Sequence, residues 1–136
     1  MENKCVLIID LELPTGLIAN TAAVLALTLG KKIDDIIGPE VYDGDGRTHE
    51  GITTIPLPIL KSTEQAIKEL RDKISSDFSD LLLVDFSNAA QTTKNYDDYT
   101  EKISQYTTND LKYLGIAVYG EKKKVNKLTG SLGLLR

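Results

Sequence analysis

Continuous apolar runs of four or five residues alternate along the chain with stretches whose apolar positions recur every three or four residues. That change of rhythm predicts strands alternating with helices. The first run, Cys5-Val6-Leu7-Ile8-Ile9, reads as a buried strand. It passes through Asp10-Leu11-Glu12-Leu13-Pro14-Thr15-Gly16 into an uncharged stretch from Leu17 to Leu29 that is apolar around nearly its whole circumference. A helix of that composition is expected to be central and covered on most sides. Its alanines let neighbouring backbones approach, and Asn20 and Thr21 bring polar groups into that setting. An unpaired buried polar group costs roughly 1 to 3 kcal/mol, so both are expected to have partners. For Asn20 the partner is either an adjacent backbone or a ligand.

Gly30 closes this helix, and Lys31 to Gly38 reads as a short helical turn ended by Gly38-Pro39. Glu40-Val41-Tyr42-Asp43 and Gly51-Ile52-Thr53-Thr54-Ile55 are predicted to form a hairpin across the loop 44–50. Pro56 and Pro58 remove two backbone donors from the next apolar segment and place it at a sheet edge. Ser62 or Thr63 caps a helix whose Ala66, Ile67, Leu70 and Ile74 trace a buried face. Leu81 to Val84 reads as a central strand that delivers Asp85 and Ser87 to its C-terminal end. A polar loop then leads to a helix near Tyr96 to Ile103, a last strand from Leu111 to Tyr119 and a last helix from Glu121 to Leu132. The alternation predicts one α/β domain over residues 1–136. A four-stranded mixed main sheet is flanked by helices, with an added hairpin and an inserted helix.

Composition narrows the function classes. With 136 residues and 41% hydrophobic content, the chain suits one domain with a substantial core. The single cysteine, Cys5, excludes an intramolecular disulfide and suits a reducing cytoplasm. No segment reads as a signal peptide, and the apolar helix is far shorter than the about twenty residues that span a bilayer. A net charge of −4 and a pI of about 5.0 argue against nucleic acid, whose phosphates need lysine and arginine. Lys122-Lys123-Lys124 with Lys127 reads as the solvated face of a helix whose Val125, Leu128 and Leu132 point inward, with a basic docking patch as the alternative.

Candidate chemistry is sparse. Asp43, Asp45, His49 and Glu50 are metal-ligand types close in sequence, but Thr54 stands where a calcium loop needs its late glutamate. Turn chemistry explains the segment without a metal, and a pocket rim is the other functional reading. His49 is the only histidine, which excludes a multi-histidine metal site and leaves one base titrating near neutrality. There is no Gly-x-Ser-x-Gly elbow, Walker loop or dinucleotide fingerprint, so neither serine catalysis nor a cofactor is expected. Asn88, Gln91, Thr92, Thr93 and Tyr96 form a neutral polar loop after a strand, a setting in which scaffolds place binding residues.

Residues Ile9 to Ala19 resemble the opening of the archaeal and eukaryotic (type II) peptidyl-tRNA hydrolases, and Leu114 to Val118 with Leu128-Thr129-Gly130-Ser131-Leu132 resemble that family's ending. The chain is more similar still to an uncharacterised, mostly bacterial and archaeal family of that fold. The shared residues are Pro14 to Asn20, the loop Asp43 to Gly51 and Asn95-Tyr96-Asp97-Asp98-Tyr99. The resemblance implies a peptidyl-tRNA hydrolase type II-like fold and a homodimer. It does not carry the hydrolase chemistry, because the loop lysines fall on Thr15 and Leu17, a helix glutamine on Thr21 and a histidine on Val24. Asp85 matches the hydrolase aspartate in position. The expected protein is therefore a small cytoplasmic domain that binds a small polar molecule or a protein partner and does not hydrolyse peptidyl-tRNA. Its expected pocket joins Asn20 and Thr21 with Asp85, Thr92 and Tyr96, extended by Asp43 and His49. The enzyme alternative is hydrolysis of an ester or amide, with Asp85 or His49 as base and Asn20 or Thr21 orienting the substrate.

Overall fold

The continuous apolar run near the N-terminus does become a buried strand. In the computed structural model, which describes residues 2–136, β1 (Asn3–Asp10) is buried from Cys5 onward and lies inside a four-stranded sheet. Its neighbours are β4 (Ile59–Ser62), parallel to it, and β6 (Tyr113–Glu121), antiparallel; β5 (Leu82–Ser87) pairs with the far side of β6. The order β4-β1-β6-β5 makes the sheet mixed, as expected. It also puts β5 at an edge, where Leu82 to Asp85 are only half-buried, instead of the central place its apolar run predicted. Run length reports apolar cover on the faces of a strand and not the number of strands beside it.

Alternation along β1 sends Cys5 and Leu7 to one face and Val6 and Ile8 to the other. The first face is covered by α1 (Thr15–Lys32), through Leu25 and Leu29. The second is covered by α2 (Glu64–Asp77), α4 (Tyr96–Ser104) and α5 (Lys122–Thr129), which contribute Ile67, Ile74, Tyr99, Ile103, Val125 and Leu128. The short helix α3 (Asn88–Gln91) joins β5 to α4. Sheet and helices thus form three layers. The C-terminal tail adds a further pairing: Lys61 N–H donates to the Gly133 carbonyl and Leu135 N–H to that of Ile59, which covers the outer edge of the proline-led strand.

Local expectations hold for α2, where the Thr63 hydroxyl accepts from Ala66 N–H at 3.2 Å as an N-cap, although Ala66 itself is exposed. Four others are corrected. α1 runs on through Lys32, so Lys31 to Gly38 is no separate helical turn. α5 ends at Thr129, where Gly130 N–H closes on the Asn126 carbonyl, and not at Leu132. The hairpin pairs β2 (Val41–Tyr42) with β3 (Thr48–His49), a nearer partner than Gly51 to Ile55, because the Asp43 side chain closes a tighter turn. Finally, α1 is covered on one side only: Gly16, Ala19, Asn20, Ala23, Leu27 and Gly30 form an exposed, uncharged stripe. Small residues that suit close packing on every side have, among the described residues, nothing on that side.

Candidate functional site

The side of the sheet under α2 carries an unusual group of polar residues. On α2, Ile67 and Ile74 are buried in the core, and Arg71 sits between them on the same face, one turn from each. Its guanidinium lies over the ring of Tyr113, 5.4 Å from the centroid, and its Nε is 3.5 Å from a carboxylate oxygen of Asp85. A second contact of 3.5 Å joins Arg71 Nη1 to Asp72. Both are too long for strong hydrogen bonds, and Nε has no hydrogen-bond partner among the described residues.

β5 and β6 place the rest. Asp85 shares the Leu83 face of β5 by alternation and so meets Arg71. A bulge at Phe86/Ser87 sets Ser87 opposite Tyr113, and cross-strand partners share a face. Asn88 locks the bulge, since its N–H donates to the Lys112 carbonyl and its side chain accepts from Lys112 N–H at 3.1 Å. Ser87 and Tyr113 are each 1% exposed, and both hydroxyls lack a hydrogen-bond partner among the described residues. From α4, Tyr99 approaches Asp85, and Tyr96 packs edge-to-face on Tyr99 with ring centroids 5.7 Å apart.

The electrostatics follow from burial. Desolvation raises the Asp85 carboxyl above the ordinary carboxylate value and outweighs the opposing pull of Arg71. Tyr113 is raised by burial, with Arg71 opposing and Asp85, Asp72 and Tyr99 adding to the rise. Tyr99 is raised by burial, then by Asp85 and Tyr96. A carboxyl inclined to hold a proton thus sits beside a cation whose donors are not used up.

The other sequence candidates are dispersed. Thr21 is fully buried on the α1 side of the sheet, opposite to Asp85, and its hydroxyl donates to the Leu17 carbonyl of its own helix at 2.7 Å. Asn20 is exposed, so the expectation of a buried side chain requiring a partner does not hold for it. Asn20 and Thr21 therefore do not join Asp85 in one pocket. Thr92 donates to the Asn88 carbonyl and receives the Lys102 ammonium at 2.5 Å, within the helical insertion that also holds Tyr96. Asp43 and His49 meet each other, His49 Nε2 lying 2.7 Å from Asp43 Oδ2 on the exposed hairpin. Asp43 also accepts from the Asp45 and Arg47 N–H groups, and His49 leads these three in lowering its carboxyl below the usual range. His49 lines a shallow, mostly apolar recess of about 350 Å³ with Val41, Gly51 and Ile52. Among the described residues no three His, Cys, Asp or Glu side chains group as a metal site would need, and no helix is long and apolar enough to cross a membrane. Burial pushes the Cys5 thiol up to about 11, which leaves it protonated and inert near neutrality.

Sequence reasoning did not select Arg71, Tyr99 or Tyr113, and it placed Ser87 beside Asp85 at a strand end without including it in the pocket. For Arg71 a signal was present, a cation in register with Ile67 and Ile74 on the buried face of a helix. For Tyr113 there was none, because its pairing with Ser87 depends on a bulge.

Comparison with known proteins gives a fold and a family without an activity. A family model described as protein of unknown function (DUF2000) matches residues 3–136. Among solved structures, that of Atu0240, a protein of unknown function from Agrobacterium tumefaciens strain C58, superposes with a TM-score of 0.88 at 19% identity and covers 98% of each chain. No curated protein matches.

Proposed function

We propose, for a chain that belongs to the DUF2000 family, a binding domain that holds a small polar molecule at the Arg71–Asp85–Tyr113 cluster. One observation carries the reading: Arg71 Nε, Ser87 Oγ and Tyr113 Oη are all buried without a hydrogen-bond partner among the described residues, and all belong to one cluster. Each such group costs roughly 1 to 3 kcal/mol if left unpaired, and native proteins keep few of them. A bound polar molecule satisfies all three. Arg71 and Asp85 side chains keep 23% and 24% of their surface exposed, so one side of the cluster reaches the surface, with the three unpaired atoms buried beneath it.

In this reading the frame is akin to that of the type II peptidyl-tRNA hydrolases, without their reaction. At the start of α1 the exposed Thr15 and the half-buried Leu17, which packs on the core, stand where the hydrolase loop carries lysines. Neither supplies the charge needed to capture tRNA or to stabilise a developing oxyanion. Ester or amide hydrolysis with Asp85 as base is the weaker alternative, because the one histidine is engaged with Asp43 on the hairpin.

The test is a thermal-shift screen of small polar metabolites on wild type, Tyr113→Phe and Arg71→Lys. A compound that raises the wild-type Tm and loses most of that effect in both variants supports the reading. Hits that act equally on all three proteins, or a broad panel without a hit, overturn it.

A second reading, homodimerisation, has its own observation. A monomer of this mass, 14.9 kDa, exposes about 7,000 Å² on the usual scaling. The chain exposes 8715 Å², roughly a quarter more. The excess is larger than the about 800 Å² each partner gives to a standard interface. Among the large exposed apolar residues, Leu27, 76% exposed, lies on the α1 stripe, and Tyr42 and Ile52, 71% and 77% exposed, lie on or beside the hairpin arm. Sedimentation of the full chain at 10 to 100 μM (on the order of a modest dimer affinity) should show a dimer that Leu27→Glu dissociates. A monomeric wild type would exclude this reading.

A further inference from the structure

We propose that the molecule held at this cluster is a small monocarboxylate, gripped by the Arg71 guanidinium between the Tyr113 and Ser87 hydroxyls and seated against Asp85. The inference rests on the preceding reading of the cluster as the binding site and names the ligand class.

The donor inventory leads to it. Arg71 offers Nε–H and the Nη groups, with only two loose contacts at 3.5 Å, and Ser87 and Tyr113 each offer an uncommitted hydroxyl. A planar carboxylate with two oxygens matches the guanidinium fork and has lone pairs left for both hydroxyls. Asp85 decides the sign of the arrangement. When ionised, it opposes a second negative charge beside it. When protonated, it becomes a fourth donor, and the guanidinium charge is free for the ligand. Desolvation raises the Asp85 carboxyl, and a carboxylate seated beside it raises it further, so binding is coupled to uptake of a proton.

Charge also separates carboxylate from phosphate. The groups facing the site are Arg71 and Asp72 from α2, Tyr99 from α4 and Tyr113 from β6, with Tyr96 behind Tyr99. With Asp85 protonated, Arg71 carries the charge that meets the ligand and the largely solvated Asp72 offsets only part of it, which leaves room for one negative charge and disfavours the second charge of phosphate near neutrality. The Tyr99–Tyr96 edge-to-face pair at the rim gives the ligand's carbon framework an aromatic wall.

The experiment titrates the full chain with acetate, benzoate and inorganic phosphate at pH 5.5 and 7.5, read by calorimetry and by amide chemical shifts. Benzoate is expected to bind more tightly than acetate, and both more tightly at the lower pH, approaching about tenfold per pH unit above the Asp85 pKa for one coupled proton. Tyr113→Phe and Arg71→Lys, which keep most of the packing, should each weaken benzoate about tenfold or more, the weight of one hydrogen bond to a charged group. Asp85→Asn keeps a donor and cannot ionise, so it should bind benzoate with little dependence on pH. Phosphate binding as well as benzoate, or an Asp85→Asn variant that retains the full pH dependence, would overturn the proposal. If no carboxylate binds while another compound raises the Tm in an Arg71-dependent way, the ligand class is wrong and the binding site stands; if nothing binds, both fall.

Discussion

Gly115 is the tightest point between α1 and the sheet, and adding one methyl group there tests how the two sides of the domain are divided. A β-carbon at Gly115 would lie 2.8 Å from Thr21 Cγ2, 3.1 Å from the Ile8 carbonyl oxygen and 3.3 Å from Ile9 Cγ1. The first distance is shorter than carbon atoms tolerate, and Thr21 has nowhere to retreat because it is fully buried and held by its bond to the Leu17 carbonyl. Overpacking of this kind costs typically 1 to 3 kcal/mol, and about 2 is expected for Gly115→Ala. At about 2.1 cal/mol/K of unfolding entropy per residue, that lowers the Tm by about 7 °C. Thr21→Ser removes the clashing methyl and keeps the hydroxyl. Alone it should cost about 1 kcal/mol, the usual loss for one buried methyl. In the double variant the two costs should not add, and a coupling of at least about 1 kcal/mol is expected from urea unfolding, since the residues touch. Simple additivity would refute the packing described here. It would also reopen a ligand role for Thr21, which this contact assigns to structure.

Asp85→Asn should alter the pH dependence of stability with a definite sign. The folded-state pKa of Asp85 is raised, so its protonation favours the folded form. Its stabilising contribution is fully present below the unfolded carboxylate value and is lost as pH rises through the raised one. Wild type should therefore gain on Asp85→Asn as pH falls from 7 toward 4, and parallel Tm curves would contradict the assigned burial. Gly51→Ala should open the base of the hairpin arm, because a β-carbon there would overlap the Gly38 carbonyl oxygen. Limited proteolysis should then cut within 38–51 while the Tm of the body changes little; an unchanged cleavage pattern would count against the close approach. Thr63→Ala should cost about 1 kcal/mol through loss of the α2 cap, measured by urea unfolding.

Much of the architecture was legible because β1, α2 and α5 each obey one rhythm. Val125, Leu128 and Leu132 all pack on the core as their spacing implied, although Leu132 lies beyond the helix. What misled was composition taken without geometry. The uncharged stretch of α1 from Leu17 to Leu29 is apolar nearly all round, yet one stripe of it faces solvent, because apolar sequence shows what a surface can bury and not what is present to bury it. The edge place of β5 was hidden for the same reason. Its face is covered by α2 and α4, and its outer rim has no strand partner.

The candidate site shows where sequence signals and functional chemistry diverge. Short motifs drew attention to Asn20, Asp43 and His49, all exposed, with Asp43 and His49 bonded to each other in a turn. The cluster with unused hydrogen-bonding capacity instead includes an arginine at a core-facing helix position and a tyrosine opening an apolar strand, both unremarkable in a linear reading. A cation on the buried stripe of an amphipathic helix is costly unless something negative meets it. Asp85 meets Arg71 only loosely, and burial weakens Asp85 as an anion. Hydrogen-bonding capacity is thus left over at this point, and in the proposed reading an incoming carboxylate takes it up.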